Sequence, residues 1–137
     1  MKYTKYTVSV GLIHGDKVYM SQRINTANFT NKWQFAGGKL EDNETPLMGG
    51  LREVAEETGL LINPNRFEWV MDILEDPTTK ICYAYLVELK NNEIPQRMET
   101  HKMSDWKLLT FDEALQLDLM PGLKTILTNL KNKGVQL

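Results

Sequence analysis

Three glutamates, Glu53, Glu56 and Glu57, stand at i, i+3 and i+4 within the run from Arg52 to Leu60, R-E-V-A-E-E-T-G-L. On a helix that spacing gathers three carboxylates onto one face within about one turn. Like charges this close repel one another unless a cation sits among them. An all-oxygen, hard, anionic cluster suits a divalent ion of the magnesium or manganese type. The chemistry expected of it is metal-dependent attack on a phosphate ester or anhydride, because a divalent ion neutralises phosphate oxygens and acidifies water. The bland alternative is a solvated stripe of surface charge.

The element that must carry these groups is legible. Thr45 is placed to cap a helix, Pro46 occupies its first position, and Gly59 supplies the left-handed stop. At about 100° per residue, Leu47, Leu51, Val54, Ala55 and Thr58 cluster on one side, with the three glutamates roughly opposite. Gly49 and Gly50 each cost about 1 kcal/mol in a helix interior. They either leave room beside the carboxylates for a loop or ligand, or allow close packing against another element.

Together, Gly38, Glu44, Arg52, Glu53, Val54, Glu56, Glu57, Gly59 and Leu60 fill the nine constrained positions of G-x5-E-x7-R-E-U-x-E-E-x-G-U, where U is aliphatic. The chain therefore resembles the Nudix hydrolases. The approach Asn31 to Glu41, N-K-W-Q-F-A-G-G-K-L-E, is similar to that of their MutT-like branch, the small nucleoside triphosphate pyrophosphohydrolases. Ala36 stands where that branch usually has proline, a change that removes no chemical group.

The resemblance implies an α/β (α+β) fold in which a mixed sheet lies between helices, an α/β/α sandwich. It implies Mg2+ or Mn2+ held by Glu53, Glu56 and Glu57 with main-chain oxygen near Gly37 and Gly38. Arg52 orients box glutamates, and Glu44 belongs to the same catalytic group. A general base often comes from a loop before a late strand carrying a tryptophan; in R-M-E-T-H-K-M-S-D-W that points to Glu99, with His101 competing. Arg23, Asn28 and Phe35 match positions lining the nucleotide pocket, and Lys39 is near enough to the box glycines to meet a terminal phosphate. Leu119 and Met120 stand where a base-reading asparagine or aspartate would be expected, so a broad (d)NTP preference is as plausible as selectivity for an oxidised base.

The remaining features set bounds. The 137 residues suffice for a single domain spanning 1–137. A net charge of −2 gives no broad basic footprint for nucleic acid. Cys82 lies in an apolar, strand-like run and reads as a core thiol; one cysteine excludes an internal disulfide. No apolar leader or membrane-spanning stretch is visible, so a cytoplasmic location is the default. Relatives are often dimers, so a homodimer stays open. Strands are expected at Val8–Ile13, Val18–Ile24, around Trp33–Phe35, Phe67–Leu74, Lys80–Leu89 and Trp106–Leu109, with turns at 14–17 and Asp76-Pro77. Thr110-x-x-Glu113 should cap a helix through Leu117, and Pro121 should open a last helix to about Lys131.

The activity expected is hydrolysis of a nucleoside triphosphate to monophosphate and pyrophosphate. The alternatives are a Nudix hydrolase of ADP-ribose, nucleotide sugars or capped RNA, and a non-catalytic nucleotide-sensing module.

Overall fold

The computed structural model describes residues 5–76 and 80–132. Its backbone is organised around β1 (Lys5–His14), whose side chains alternate between two helical layers. One edge of β1 runs parallel to β6 (Lys80–Glu88), in register from Lys5↔Lys80 to Ile13↔Glu88. Antiparallel to β1 lie β2 (Lys17–Gln22), at Ile13↔Val18, and β4 (Ala36–Lys39), at Val10↔Ala36 through Thr7↔Lys39. β3 (Trp33–Gln34) and β7 (Lys107–Thr110) pair with β2, and β5 (Glu68–Asp76) forms the edge beyond β6.

Helix α1 (Pro46–Thr58) covers β1 and β4 on one face. There Val8, Val10 and Leu12 meet Val54, Ala36, Val87 and Trp106. On the other face α2 (Phe111–Leu115) and α3 (Leu123–Asn132) lie over the sheet. Ile13, Val18, Phe35 and Ala84 pack there against Phe111, Leu123, Ile126, Leu127 and Leu130. A mixed sheet between helices is thus the architecture, as expected. Among the described residues no helix is long and apolar enough to cross a membrane.

Several boundaries differ from the sequence reading. β4 was not foreseen: two of its four residues are glycine, a poor strand former, and pairing with β1 makes it a strand. β2 ends at Gln22 because Arg23 and Ile24 turn to the 102–103 segment, with an Arg23–Met103 bridge and Ile24 N–H donating to Lys102 O at 2.9 Å. The last helix starts at Leu123, since Gly122 at φ 83° turns the chain after Pro121. The second helix stops at Leu115, two residues short of Leu117. A 3-10 turn at Pro64–Arg66 had no expectation behind it. Of the turn placed at Asp76-Pro77, Pro77 lies outside the described residues.

Candidate active site

α1 begins and ends as its sequence dictates. Thr45 Oγ1 accepts from Met48 N–H at 3.2 Å, Pro46 opens the first turn, and Gly59 at φ 77° returns its N–H to Ala55 O at 3.0 Å. The acidic face is not an open stripe, however. Glu56 is exposed, but Glu53 and Glu57 are only 8% and 7% accessible.

Strand β4 covers them. Gly37 N–H donates to Glu57 Oε1 at 2.9 Å. A Cβ on Gly37 would stand 2.1 Å from the Val8 main-chain oxygen, so glycine there lets β4 lie this close to β1, and one on Gly38 would stand 2.1 Å from Glu53 Oε2 and displace that carboxylate. Gly49 and Gly50 divide: Gly49 makes room for the loop that carries Leu40 and Glu44, and Gly50 allows close packing against Phe67. A Cβ at Gly49 would meet Leu40 at 2.2 Å and Glu44 Oε1 at 3.1 Å; at Gly50 it would meet the Phe67 ring at 3.1 Å.

Arg52 ties the loop to the helix. Its Nε donates to Glu44 Oε2 at 2.7 Å and its Nη2 to Glu44 Oε1 at 2.9 Å and Lys39 O at 3.0 Å. Nη1 donates to Glu56 Oε1 at 3.1 Å and lies 3.7 Å from Glu53 Oε2. Hydrogen bonds from Arg52, helped by the Glu41 N–H, hold the Glu44 carboxyl down at about 2. Glu44 therefore positions Arg52, its two oxygens accepting three hydrogen bonds from Arg52 and the Glu41 N–H.

Glu53 behaves oppositely. Burial pushes its carboxyl up to about 7 against the pull of Arg52, with the charges of Glu56, Glu99 and Glu44 adding to the rise. Burial, then the Glu53 charge, raises Glu57 well above the ordinary range despite the Gly37 N–H. At the far end of α1, the buried Trp106 Nε1–H donates to Glu57 O at 3.1 Å and so fixes the last turn.

Glu53, Glu56, Glu57 and Glu99 line one cleft of about 310 Å³, with Arg23, Arg52 and Lys102 as its cations. Glu99 arrives on a tightly bonded turn. Lys102 and Met103 N–H both donate to Glu99 O, at 3.0 and 3.1 Å, and Arg97 donates to Met103 O at 2.7 Å and Thr100 O at 2.9 Å. His101 is exposed and does not line the cleft. A second, largely apolar cavity of about 110 Å³ adjoins it, walled by Phe35, Ile73, Cys82, Met120, Leu123 and Ile126. Cys82 is buried, as expected of a core thiol, and its residue also lines this wall.

Among the described residues, no three His, Cys, Asp or Glu side chains already form a ligand set. The donor chemistry nevertheless fits a hard divalent cation. Four carboxylates share one cleft, two of them are buried with raised proton affinity, and a cation supplies the compensating charge that protons otherwise would.

The substrate residues expected from sequence divide. Arg23 lines both cavities and Phe35 lines the apolar one. Asn28 lines neither; its carbonyl accepts from Arg23 Nε at 3.3 Å and Nη2 at 3.2 Å. Lys39 lies past the end of the acidic cleft, in a separate groove with Tyr6 and Tyr83, and contributes its carbonyl to Arg52. Of the two glycines, Gly37 lines both cavities and Gly38 the apolar one. Gln34, Lys102 and Thr26 were not singled out from sequence; they reach the cleft through β3 and the loops beside β2, which no local pattern announces.

A family model described as the NUDIX domain matches residues 4–130. The chain is 40% identical over 62 residues to an 8-oxo-dGTP diphosphatase of Proteus vulgaris, covering 44% of this chain and 55% of that protein. It is 37% identical over 65 residues to an 8-oxo-dGTP diphosphatase of Escherichia coli (strain K12), covering 46% of this chain and 49% of that one. The chain thus spans about half the length of these curated relatives. Among solved structures, the NUDIX domain of Shewanella oneidensis NrtR complexed with ADP ribose superposes with a TM-score of 0.79. It is 19% identical, over 98% of this chain and 91% of that one, a likeness of fold.

Proposed function

This chain belongs to the NUDIX domain family, and from that premise we propose that it hydrolyses a nucleoside triphosphate to the monophosphate and pyrophosphate. The observation that carries the reading is the adjacency of the two cavities. An acidic, cation-seeking cleft suited to phosphates opens beside an apolar slot suited to a base. The relatives named 8-oxo-dGTP diphosphatase support the same substrate class.

Glu53, Glu56 and Glu57, with main-chain oxygen near Gly37 and Gly38, hold a divalent ion of the magnesium or manganese type. When bound, that ion neutralises phosphate oxygens and activates water. Water attacks a substrate phosphorus, one P–O–P bridge breaks, and pyrophosphate leaves. Glu99, on its braced turn at the cleft wall, accepts the proton of the attacking water. Arg52 holds Glu56 and the edge of Glu53 in place, and Glu44 holds Arg52. Arg23, anchored on Asn28 O, faces the bound nucleotide where the cavities meet. Met120 lines the apolar slot and offers a base no strong donor. This favours a broad (d)NTP range that includes oxidised bases over strict selectivity.

A panel of nucleotides with magnesium, read by phosphate release with and without added pyrophosphatase, tests the reading. Phosphate that appears from (d)NTPs only with pyrophosphatase supports it. Cleavage confined to ADP-ribose, nucleotide sugars or capped RNA, or no turnover at all, overturns it.

A further inference from the structure

The apolar slot and the acidic cleft have three residues in common, Arg23, Gln34 and Gly37. A nucleotide with its ring in one and its phosphates in the other crosses that seam with the group that joins them, the sugar. Gly37 N–H is committed to Glu57 Oε1 at 2.9 Å. Arg23 gives Nε and Nη2 to Asn28 O, at 3.3 and 3.2 Å, and Nη1 to Gln34 Oε1 at 3.3 Å.

A guanidinium has donors only, so the Gln34 amide must turn its oxygen to Arg23 and its NH2 away. Among the described residues nothing accepts from that NH2. The side chain is half-buried. Arg23 also keeps one N–H on each of Nη1 and Nη2 outside these bonds, but they belong to a cation suited to phosphate oxygen, so the neutral donor left at the seam is the Gln34 amide. An amide donor without a protein acceptor, fixed in orientation at the crossing point, is the arrangement that recognises a hydroxyl oxygen.

We propose that Gln34 reads the sugar, donating from its amide nitrogen to a ribose hydroxyl, with Arg23 as the positioning residue that keeps the amide turned that way. This rests on the nucleotide reading above. It assigns hydroxyl discrimination to β3, whereas the ring is sorted by the apolar slot.

The test measures kcat/KM for the ribo, 2′-deoxy and 2′,3′-dideoxy triphosphates of one base, with wild type and with the near-isosteric Gln34→Met. The wild type should prefer the nucleotide carrying the contacted hydroxyl over the one lacking it by about tenfold, as one hydrogen bond allows. In Gln34→Met that ratio should fall toward one. The step at which it collapses identifies the 2′ or the 3′ hydroxyl. An unchanged ratio, or an equal loss on all three substrates, would overturn the assignment while leaving the nucleotide reading intact. Wild-type protein that hydrolyses none of the three takes down both. Should Gln34→Met fail to fold by thermal melting, Gln34→Ser removes the same reach and gives the same ratio test.

Discussion

Two arginine–glutamate clamps in this molecule are built alike, and only one serves the site. In each, a turn glutamate caps its own turn: Glu44 Oε1 accepts from Glu41 N–H at 2.9 Å, and Glu93 Oε1 from Lys90 N–H at 2.8 Å. In each, the arginine grips both carboxylate oxygens and also the last carbonyl of a strand, Lys39 O for Arg52 and Glu88 O for Arg66. Both glutamates are held at about 2, chiefly by the arginine hydrogen bonds.

The difference is the approach of the guanidinium. Arg66 meets Glu93 end-on, with Nη1 at 2.7 Å and Nη2 at 2.6 Å, and both of its outer nitrogens are used on the clamp. Arg52 meets Glu44 side-on through Nε and Nη2, which leaves Nη1 to reach Glu56 and the edge of Glu53. A planar five-donor fork can be a local staple or a relay, and which edge it presents decides.

Mutations can break or sharpen that contrast. Glu57→Gln sets the ceiling: it should lower kcat/KM on the order of 10²–10³-fold with no fall in melting temperature. Near-normal turnover by a folded Glu57→Gln protein would refute the acidic cluster as the catalytic centre. Next, Arg52→Gln should cost about 10–100-fold in activity, as lost orientation of ligating groups does, and also destabilise the fold by about 1–3 kcal/mol. Arg66→Gln should show a comparable stability loss in a urea melt with activity within about twofold of wild type. Equal activity losses in the two variants would erase the distinction between relay and staple.

The smallest effect is in acid. Glu44 and Glu93 sit at about 2, below the ~4.3 of an unfolded glutamate. A depressed carboxyl binds fewer protons folded than unfolded. Its stabilisation is complete above about pH 5 and is lost as pH falls through 4 toward 2. Glu93→Gln should therefore lie below wild type in stability at pH 7 and converge on it by about pH 2, followed by circular dichroism. Curves that stay parallel would show that Glu93 titrates normally.

What could be read from sequence was what local chemistry dictates. Thr45, Pro46 and Gly59 bound α1 because capping depends on adjacent residues, and the spacing of Glu53, Glu56 and Glu57 follows from the helical repeat. Their burial could not be read, because it depends on β4 lying across them, and β4 owes its form to pairing with β1. Lys39 misled for a related reason. It is next to Gly38 in the chain, but a strand advances ~3.3 Å per residue and carries it out of the cleft into the groove with Tyr6 and Tyr83. Asn28 sits in a loop whose Asn25, Phe29 and Asn31 all have positive φ. That path aims its carbonyl at Arg23, a geometry that residue type does not encode. Gln34 acquires its meaning only where two cavities touch.

The central strand pair also governs when this protein becomes itself during synthesis. β1 is synthesised well before its parallel neighbour, Lys80–Glu88. Such distant pairing makes folding slow relative to helical proteins of similar size. A nascent chain that has just completed Glu57 has every box carboxylate and the strands β1 to β4, but not the parallel strand that completes the sheet beside β1. Until β6 is translated and docks, β1 exposes an unpaired, apolar edge, the stretch where chaperone protection would matter most.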